Sequence, residues 1–453
     1  MAGVPGAALN RQVAIVGFMG SGKSTAARAV GGIDADDLIE SAAGKPIPAI
    51  FRDEGEAAFR AREAEAVVLA LGGGAVTSPK VRDALGEALT VWLDVDVDTC
   101  WERVRGSDRP LAQDEAEFRR LYEERRRLYA EVADVVARDV DDVVLATAGV
   151  VVERGALQRL GELVPGGPVA LVSDPHVAGI HGADAQLALG GRLAETHELP
   201  PGEEAKTLTA LDRLWQELRL DRSGTIVALG GGCTTDAAGF AAATYLRGVP
   251  WVPVPTSLVA QVDAAIGGKT AIDLPQGKNL VGAFHWPART IVDPALLETL
   301  SESQRLEGMA EVVKTGLLAG EPLWELPDDE LVRRCAAFKA AICLRDPHDR
   351  GERKLLNLGH TFAHALEAAG GYDTVTHGRA VALGLLAALR LSGRDTTVVA
   401  EVLRPEPVRV DRERAWQALL RDKKGALRLV LLDRWDVEVP EEDVRRELDR
   451  LIA

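Results

Sequence analysis

The chain has 453 residues, 47% of them apolar and 27% charged, more than one hydrophobic core normally serves, so at least two domains are expected. A net charge of −16 excludes a nucleic-acid-binding surface and leaves room only for local basic pockets, and no stretch is long and apolar enough to span a bilayer. The four cysteines form no CxxC pair and Met1–Asn10 is small and uncharged, which points to buried thiols in a reducing compartment, the cytoplasm.

Gln12–Val16 (QVAIV) reads as a buried strand and runs directly into GFMGSGKST. Gly17, Gly20 and Gly22 allow the backbone to wrap a phosphate chain, Lys23 adds a mobile positive charge, and Ser24 offers a hydroxyl to magnesium. The nucleotide set is therefore Gly20, Ser21, Gly22, Lys23, Ser24 and Thr25, followed by an alanine-rich helix (Thr25–Val30). A second short strand ends at Asp34 and Asp36, placed to approach magnesium or a substrate hydroxyl. Arg60 lies on a helix, a third strand ends in LGGGAVTSP, Arg109 sits in a polar segment able to close as a lid, and Arg125 belongs to a charged helix.

In this order the motifs resemble shikimate kinase over roughly residues 11–145. The resemblance implies that Lys23 and Ser24 hold ATP and Mg2+, with Asp34 on the magnesium side. It implies that Asp36, Arg60, Gly73, Gly74 and Arg125 hold shikimate and that Arg109 reaches over from the lid. The implied reaction is γ-phosphoryl transfer to a sugar-like hydroxyl, carried by positioning and charge neutralisation. The crossovers between Lys23 and Asp34 and between Arg60 and Gly72 are short for that family.

Near Ala146–Gly149 the pattern resets, and strands and helices alternate to about residue 295 in the manner of a parallel doubly wound sheet. A strand (Thr225–Leu229) meets Gly230, Gly231 and Gly232, and Asp236 follows as a helix begins, a turn on which a pyrophosphate can rest. Thr256, Ser257, Asp263, Lys269, Lys278 and Asn279 follow among loop-forming glycines, where lysines of an acidic chain suit anion binding. Past residue 296 the pattern is helical. In Lys354–Glu367, read as one helix, His360 and His364 share a face and form half of a metal site, with Glu311 upstream and His377 downstream. A core histidine tied to a backbone carbonyl fits the pair alone equally well.

From about Val150 onward the chain is similar to 3-dehydroquinate synthase, through PGEEAK, GGGCTTDAAGFAAATYLRG, GGKTAIDLPQGKN, MAEVVKTG, RKLLNLGHTFAHALE and THG. The resemblance implies a doubly wound NAD-binding domain and an all-helical second domain, giving divisions at 1–146, 149–295 and 296–453. It implies Zn2+ or Co2+ on Glu311, His360 and His377, with His364 as a general acid/base or phosphate partner. NAD falls to Glu203, Lys206, Gly231, Gly232, Asp236, Thr256, Ser257, Lys269 and Lys278. Lys269, Lys314, Lys339, Arg353, Arg247, Asn279 and Lys424 meet the anionic heptulosonate phosphate, and Asp263 holds a ring hydroxyl. A homodimer through the synthase part is expected. Arg379 stands where the family has Glu, two residues from a metal ligand, and Pro347 replaces a Glu before Arg353.

Three readings follow: a bifunctional enzyme of one aromatic pathway acting on small molecules; a sugar-phosphate cyclase or metal-dependent alcohol dehydrogenase with a separate kinase module; and a non-catalytic scaffold. Co-occurrence of the two motif sets favours the first.

Overall fold

The computed structural model describes residues 12–32, 39–41, 43–46, 49–50, 52–55, 69–107, 110–371, 374–422 and 427–453. It divides into two compact units, one of Met1–Val150 with Ala340–Arg345, the other of Val151–Lys339 with Asp346–Ala453.

In the first unit, β1 (Val13–Val16) is buried at every residue, as expected for a strand covered on both faces. It runs into α1 (Lys23–Ala29), two residues earlier than the expected start. The strands β2 (Leu69–Ala70), β3 (Leu89–Leu93) and β4 (Val135–Ala137) complete a four-stranded parallel sheet in the order β2-β1-β3-β4. The helices α2 (Pro79–Leu85), α3 (Val97–Val104), α4 (Glu115–Val132) and α5 (Val140–Ala148) pack around it. The last three begin at an aspartate, Asp96, Asp114 or Asp139, whose carboxylate accepts from the third residue on and satisfies a free helix N–H. Phe18, Trp92, Phe118, Tyr122 and Tyr129 form the aromatic half of the core, with Phe18 and Phe118 meeting edge-on at 4.9 Å.

The second unit opens at Val151, within β5 (Val150–Val152). This strand does not join the main sheet; it pairs with β12, which is Thr290–Val292. The main sheet is parallel, in the order β7-β6-β8-β9, from β6 (Val169–Ser173), β7 (Leu193–Glu198), β8 (Thr225–Gly230) and β9 (Trp251–Pro255). On one face, against Ala170, Val172, Ile226 and Ala228, lie α6 (Leu208–Glu217) and α7 (Gly232–Thr244), while Leu157, Leu160, Ala185 and Leu189 pack on the other against Leu171, Val227 and Val252. The glycine-rich segment read as loops is a hairpin instead, β10 (Lys269–Leu274) against β11 (Gly277–Phe284), with Lys269 and Lys278 on its two strands.

After β12 the unit turns helical. Ser301 and Gln304 form a reciprocal cap that starts α8 (Glu302–Ala319). There follow α9 (Asp328–Arg345), α10 (His360–Ala369), α11 (His377–Leu391), α12 (Thr397–Val402), α13 (Arg412–Asp422) and α14 (Glu441–Arg450). This part is not wholly helical, since β13 (Arg428–Leu431) and β14 (Arg434–Glu438) form an antiparallel hairpin. The helix expected from Lys354 starts only at His360, because a 3-10 turn over Glu352–Asn357 and a left-handed Gly359 (φ +79°) precede it. A Cβ at Gly384 would lie 2.1 Å from the Gly359 carbonyl oxygen, so α10 and α11 meet at backbone distance there. Phe362, Leu366, Leu383 and Leu385 fill the core beside that contact.

Candidate active sites

In the first unit the phosphate loop is wedged between β1 and α3. Gly20 has a left-handed φ of +83° and an added Cβ would lie 2.5 Å from the Cys100 carbonyl oxygen, so only glycine fits. Arg103, which the motif reading passed over, donates from Nη1 to the carbonyl oxygens of Gly20 (3.1 Å) and Ser21 (3.3 Å). Lys23 Nζ donates to the Phe18 carbonyl at 2.9 Å, and Ser24 and Thr25 occupy the first turn of α1. The turn after β2 lies against the same loop, since a Cβ at Gly73 would approach the Met19 nitrogen to 3.1 Å. Arg125, buried on α4, donates to the Gly73 carbonyl at 3.1 Å, alongside Tyr129 Oη at 2.5 Å. The Arg125 guanidinium also lies over the Phe18 ring at 5.8 Å. Gly20–Thr25, Gly73, Gly74 and Arg125 are thus one neighbourhood, while Asp34, Asp36, Arg60 and Arg109 lie outside the described residues.

In the second unit a cavity of about 340 Å³ opens at the carboxyl ends of β6, β8 and β9. Asp174, Gly231, Gly232, Thr256 and Ser257 are among its walls. That is where open parallel sheets take ligands. The helix α7 begins at Gly232, four residues before Asp236, so Asp236 lies in its second turn and not at its start. Lys206 Nζ donates to Asp236 Oδ2 at 2.9 Å and is also bonded to Asn279. Burial opposes the charge on Lys206, but Asp236, Asp273 and Glu203 outweigh it and hold its pKa above the ordinary lysine value. Lys278 Nζ bonds Glu203 Oε1 at 2.6 Å. Four residues expected around the dinucleotide, Glu203, Lys206, Asp236 and Lys278, therefore form one polar network, which Asn279, expected at the heptulosonate phosphate, joins through Lys206.

A second charged cluster lies on α8, α9 and a π-helical turn over Ala260–Ala264. That turn aims Asp263 at Lys314 Nζ (3.1 Å) and at Lys339. Arg353, 2% exposed, donates to the Gly267 and Pro347 carbonyls at 2.8 and 3.1 Å. Lys269 pairs with Asp349 at 2.5 Å.

Glu311, His360 and His377 meet with ligand atoms within 4.8 Å of one another, the only such group among the described residues. Glu311 Oε1 lies 3.4 Å from His360 Nε2 and 3.3 Å from His377 Nε2. Its Oε2 is buried and in ion contact with Lys314, yet accepts no hydrogen bond. Burial opposes ionisation of Glu311, but Lys314 and His360 hold its carboxyl well below the usual range. Burial and Lys314 lower the His360 pKa below the ordinary imidazole value. Its Nδ1 faces the Leu358 carbonyl at 3.2 Å and leaves Nε2 for the cluster, so the backbone tie and the ligand role coexist. Burial likewise opposes charge on His377, but Glu311 and Glu367 push its pKa up to about 10. One carboxylate and two imidazole nitrogens gathered this closely fit a divalent metal such as zinc.

The His360–His364 pair does not make the cluster. His364 is exposed on α10, its ring 5.6 Å from that of His360, and the second imidazole comes from His377 on α11. Arg247 is exposed in a left-handed turn (φ +70°) and shares no hydrogen bond or ion pair with the cluster among the described residues. Lys424 lies outside those residues. Arg379 donates to the Glu406 and Pro407 carbonyls at 3.0 and 3.2 Å, so its reversed charge falls on a loop. Glu367 ends the motif RKLLNLGHTFAHALE, and the motif alone assigns it no role. Its position seven residues after His360, on the same helix face, was the available signal.

The description "Shikimate kinase" matches residues 19–154, "3-dehydroquinate synthase N-terminal" 196–307 and "3-dehydroquinate synthase C-terminal" 308–424. A bifunctional shikimate kinase/3-dehydroquinate synthase of Thermotoga maritima is 34% identical over 471 residues, covering 91% of this chain and 93% of its own. The chain belongs to that family. For the synthase part, the 3-dehydroquinate synthase of Gloeobacter violaceus is 42% identical over 344 residues, covering 66% of this chain and 95% of its own. A solved 2-deoxy-scyllo-inosose synthase, complexed with carbaglucose-6-phosphate, NAD+ and Co2+, superposes with a TM-score of 0.60 at 24% identity, over 66% of this chain and 96% of its own. That likeness is one of fold. In this chain the kinase match precedes the two synthase matches, and no helix among the described residues is long and apolar enough to cross a membrane.

Proposed function

We propose that the first unit phosphorylates shikimate with ATP and that the second converts 3-deoxy-D-arabino-heptulosonate 7-phosphate to 3-dehydroquinate and phosphate. The observation that carries this reading is the joint presence, in one chain, of the phosphate loop and the Glu311–His360–His377 cluster. In the kinase part, loop N–H groups and Lys23 bind the ATP phosphates, Ser24 with Asp34 faces Mg2+, and Arg125 with the Gly73–Gly74 backbone receives shikimate. Asp36, Arg60 and Arg109 complete that substrate site.

In the synthase part, Glu311, His360 and His377 would hold the divalent metal, and NAD would lie along Gly231, Gly232, Asp236, Thr256 and Ser257. When bound, the metal supplies Lewis acidity at a substrate hydroxyl and NAD a reversible two-electron acceptor. The chain's own residues bind and orient. Lys206 and Asn279 fix the cofactor side, while Lys269, Lys314, Lys339 and Arg353, with Arg247 and Lys424, neutralise the anionic substrate. Asp263, held between two lysines, receives a ring hydroxyl, and exposed His364 moves a proton at the substrate edge.

The division into 1–146, 149–295 and 296–453 is supported by the cap at Ser301, which opens the helical run. Exposed Leu280, Val281 and Phe284 on β11 support a homodimer through the synthase part, and four free thiols support a cytoplasmic setting. A separate kinase joined to an unrelated cyclase is not favoured, because one relative carries both halves over 91% of this chain. Two assays test the reading: shikimate-dependent ADP formation, and phosphate release from the heptulosonate phosphate with NAD and Zn2+. Phosphate release with steady NADH accumulation would point to a dehydrogenase instead.

A further inference from the structure

Each candidate metal-ligating imidazole presents one nitrogen to Glu311 and turns the other toward a second acceptor. For His360 that acceptor is the Leu358 carbonyl. For His377 it is Glu367, whose Oε1 lies 3.6 Å from Nδ1. Glu367 is 3% exposed, on the same helix as His360, and a carboxylate there is costly unless partnered. Its second partner comes from another element: Lys278 Nζ on β11 also lies 3.6 Å from Oε1, and that same ammonium bonds Glu203 at 2.6 Å. One buried oxygen thus stands between a candidate ligand and the hairpin that carries the cofactor-side lysines.

We propose that Glu367 is a positioning residue of the metal centre. Its carboxylate, in ion contact with His377 Nδ1 at 3.6 Å, favours the ring orientation that turns Nε2 toward Glu311 and His360, and couples that orientation to the β10–β11 hairpin through Lys278. The proposal rests on the metal reading above and deepens it. The alternative is that Glu367 serves only as counter-ion to Lys278 and that His377 orients itself.

Zn2+ affinity by chelator competition and the visible absorption of the Co2+-loaded full chain separate the two. Wild type is expected to bind one equivalent. Glu367→Ala is expected to lose about 10- to 100-fold in Zn2+ affinity, the weight of an outer carboxylate in such triads, and to shift the Co2+ bands. Glu367→Gln, whose amide oxygen keeps a polar acceptor facing Nδ1, is expected to recover most of the affinity. Lys278→Met is expected to cost less than Glu367→Ala. Where Glu367→Ala fails to fold, Glu367→Met, of similar volume and without an acceptor oxygen, replaces it. Affinity and Co2+ bands within twofold of wild type in the folded Ala or Met variant would overturn the proposal. So would a loss in Lys278→Met equal to that of the Glu367 variants. Absence of stoichiometric metal in wild type would overturn the metal reading itself, a separate result.

Discussion

The helices α1 and α10 both carry sites, and they are built in opposite ways. The first is seven residues long, buries only Ala26 and Ala27, and contributes chiefly the backbone at its start. The second buries Phe362, Ala363, Ala365, Leu366 and Ala369, and contributes side chains whose partners, Glu311, His377 and Lys278, lie on three other elements. The phosphate loop offers its ligand contiguous backbone from one short stretch of chain. A metal centre gathered from distant segments works only when the core between them holds.

The contrast breaks most sharply at the metal. His360→Ala should lose bound Zn2+ and lower phosphate release by orders of magnitude, leaving the kinase untouched; equal metal content in variant and wild type would remove His360 from the site. Next in size is the core beneath it. Phe362→Ala should cost about 3–5 kcal/mol and weaken Zn2+ binding with it, whereas the phosphate loop should tolerate changes there. Denaturant melts with and without Zn2+ measure both effects. A variant with normal metal affinity would show that the site does not depend on that core.

Heating sharpens the comparison from the other side. Because α1 buries so little apolar area, kinase activity should vanish before synthase activity, with ATP and shikimate protecting it. Coincident inactivation curves would contradict this. Arg103→Ala should raise the KM for ATP about fivefold, the effect of roughly 1 kcal/mol for a hydrogen bond, while the synthase stays unchanged.

The smallest expected effect is at alkaline pH. The folded-state pKa of Lys206 is raised, so its contribution to stability is full below pH 10.5 and is lost as pH rises through the folded value. Lys206→Met should therefore lose less stability than wild type above pH 10.5 in parallel melts. Equal slopes would show that the network with Asp236 holds no such energy.

The same contrast governs what was legible in the chain. The nine residues of GFMGSGKST carry their meaning in order, and the Gly231–Gly232 turn does nearly the same. The true start of α10 was not legible, because Gly359 breaks the helix to meet Gly384, a contact between residues far apart in sequence. The π-helical turn that aims Asp263 has no pattern of its own. The β10–β11 hairpin hid behind turn-forming residues, since exposed Leu280 and Val281 and half-buried Lys278 break the alternation of a one-sided strand. His360 and His364 were visible as a pair, but helix spacing alone could not say that His377, beyond a turn, completes the site. The family resemblance supplied that partner.

The central claim is that one chain carries two sites that do not depend on each other, and Lys23→Ala tests it most directly. Shikimate-dependent ADP formation should fall by about a hundredfold or more, since the charge facing the transferring phosphoryl group is gone. Phosphate release from the heptulosonate phosphate, measured without ATP, should stay within about twofold of wild type. A parallel collapse of phosphate release would contradict the account and show the two halves to be one cooperative unit.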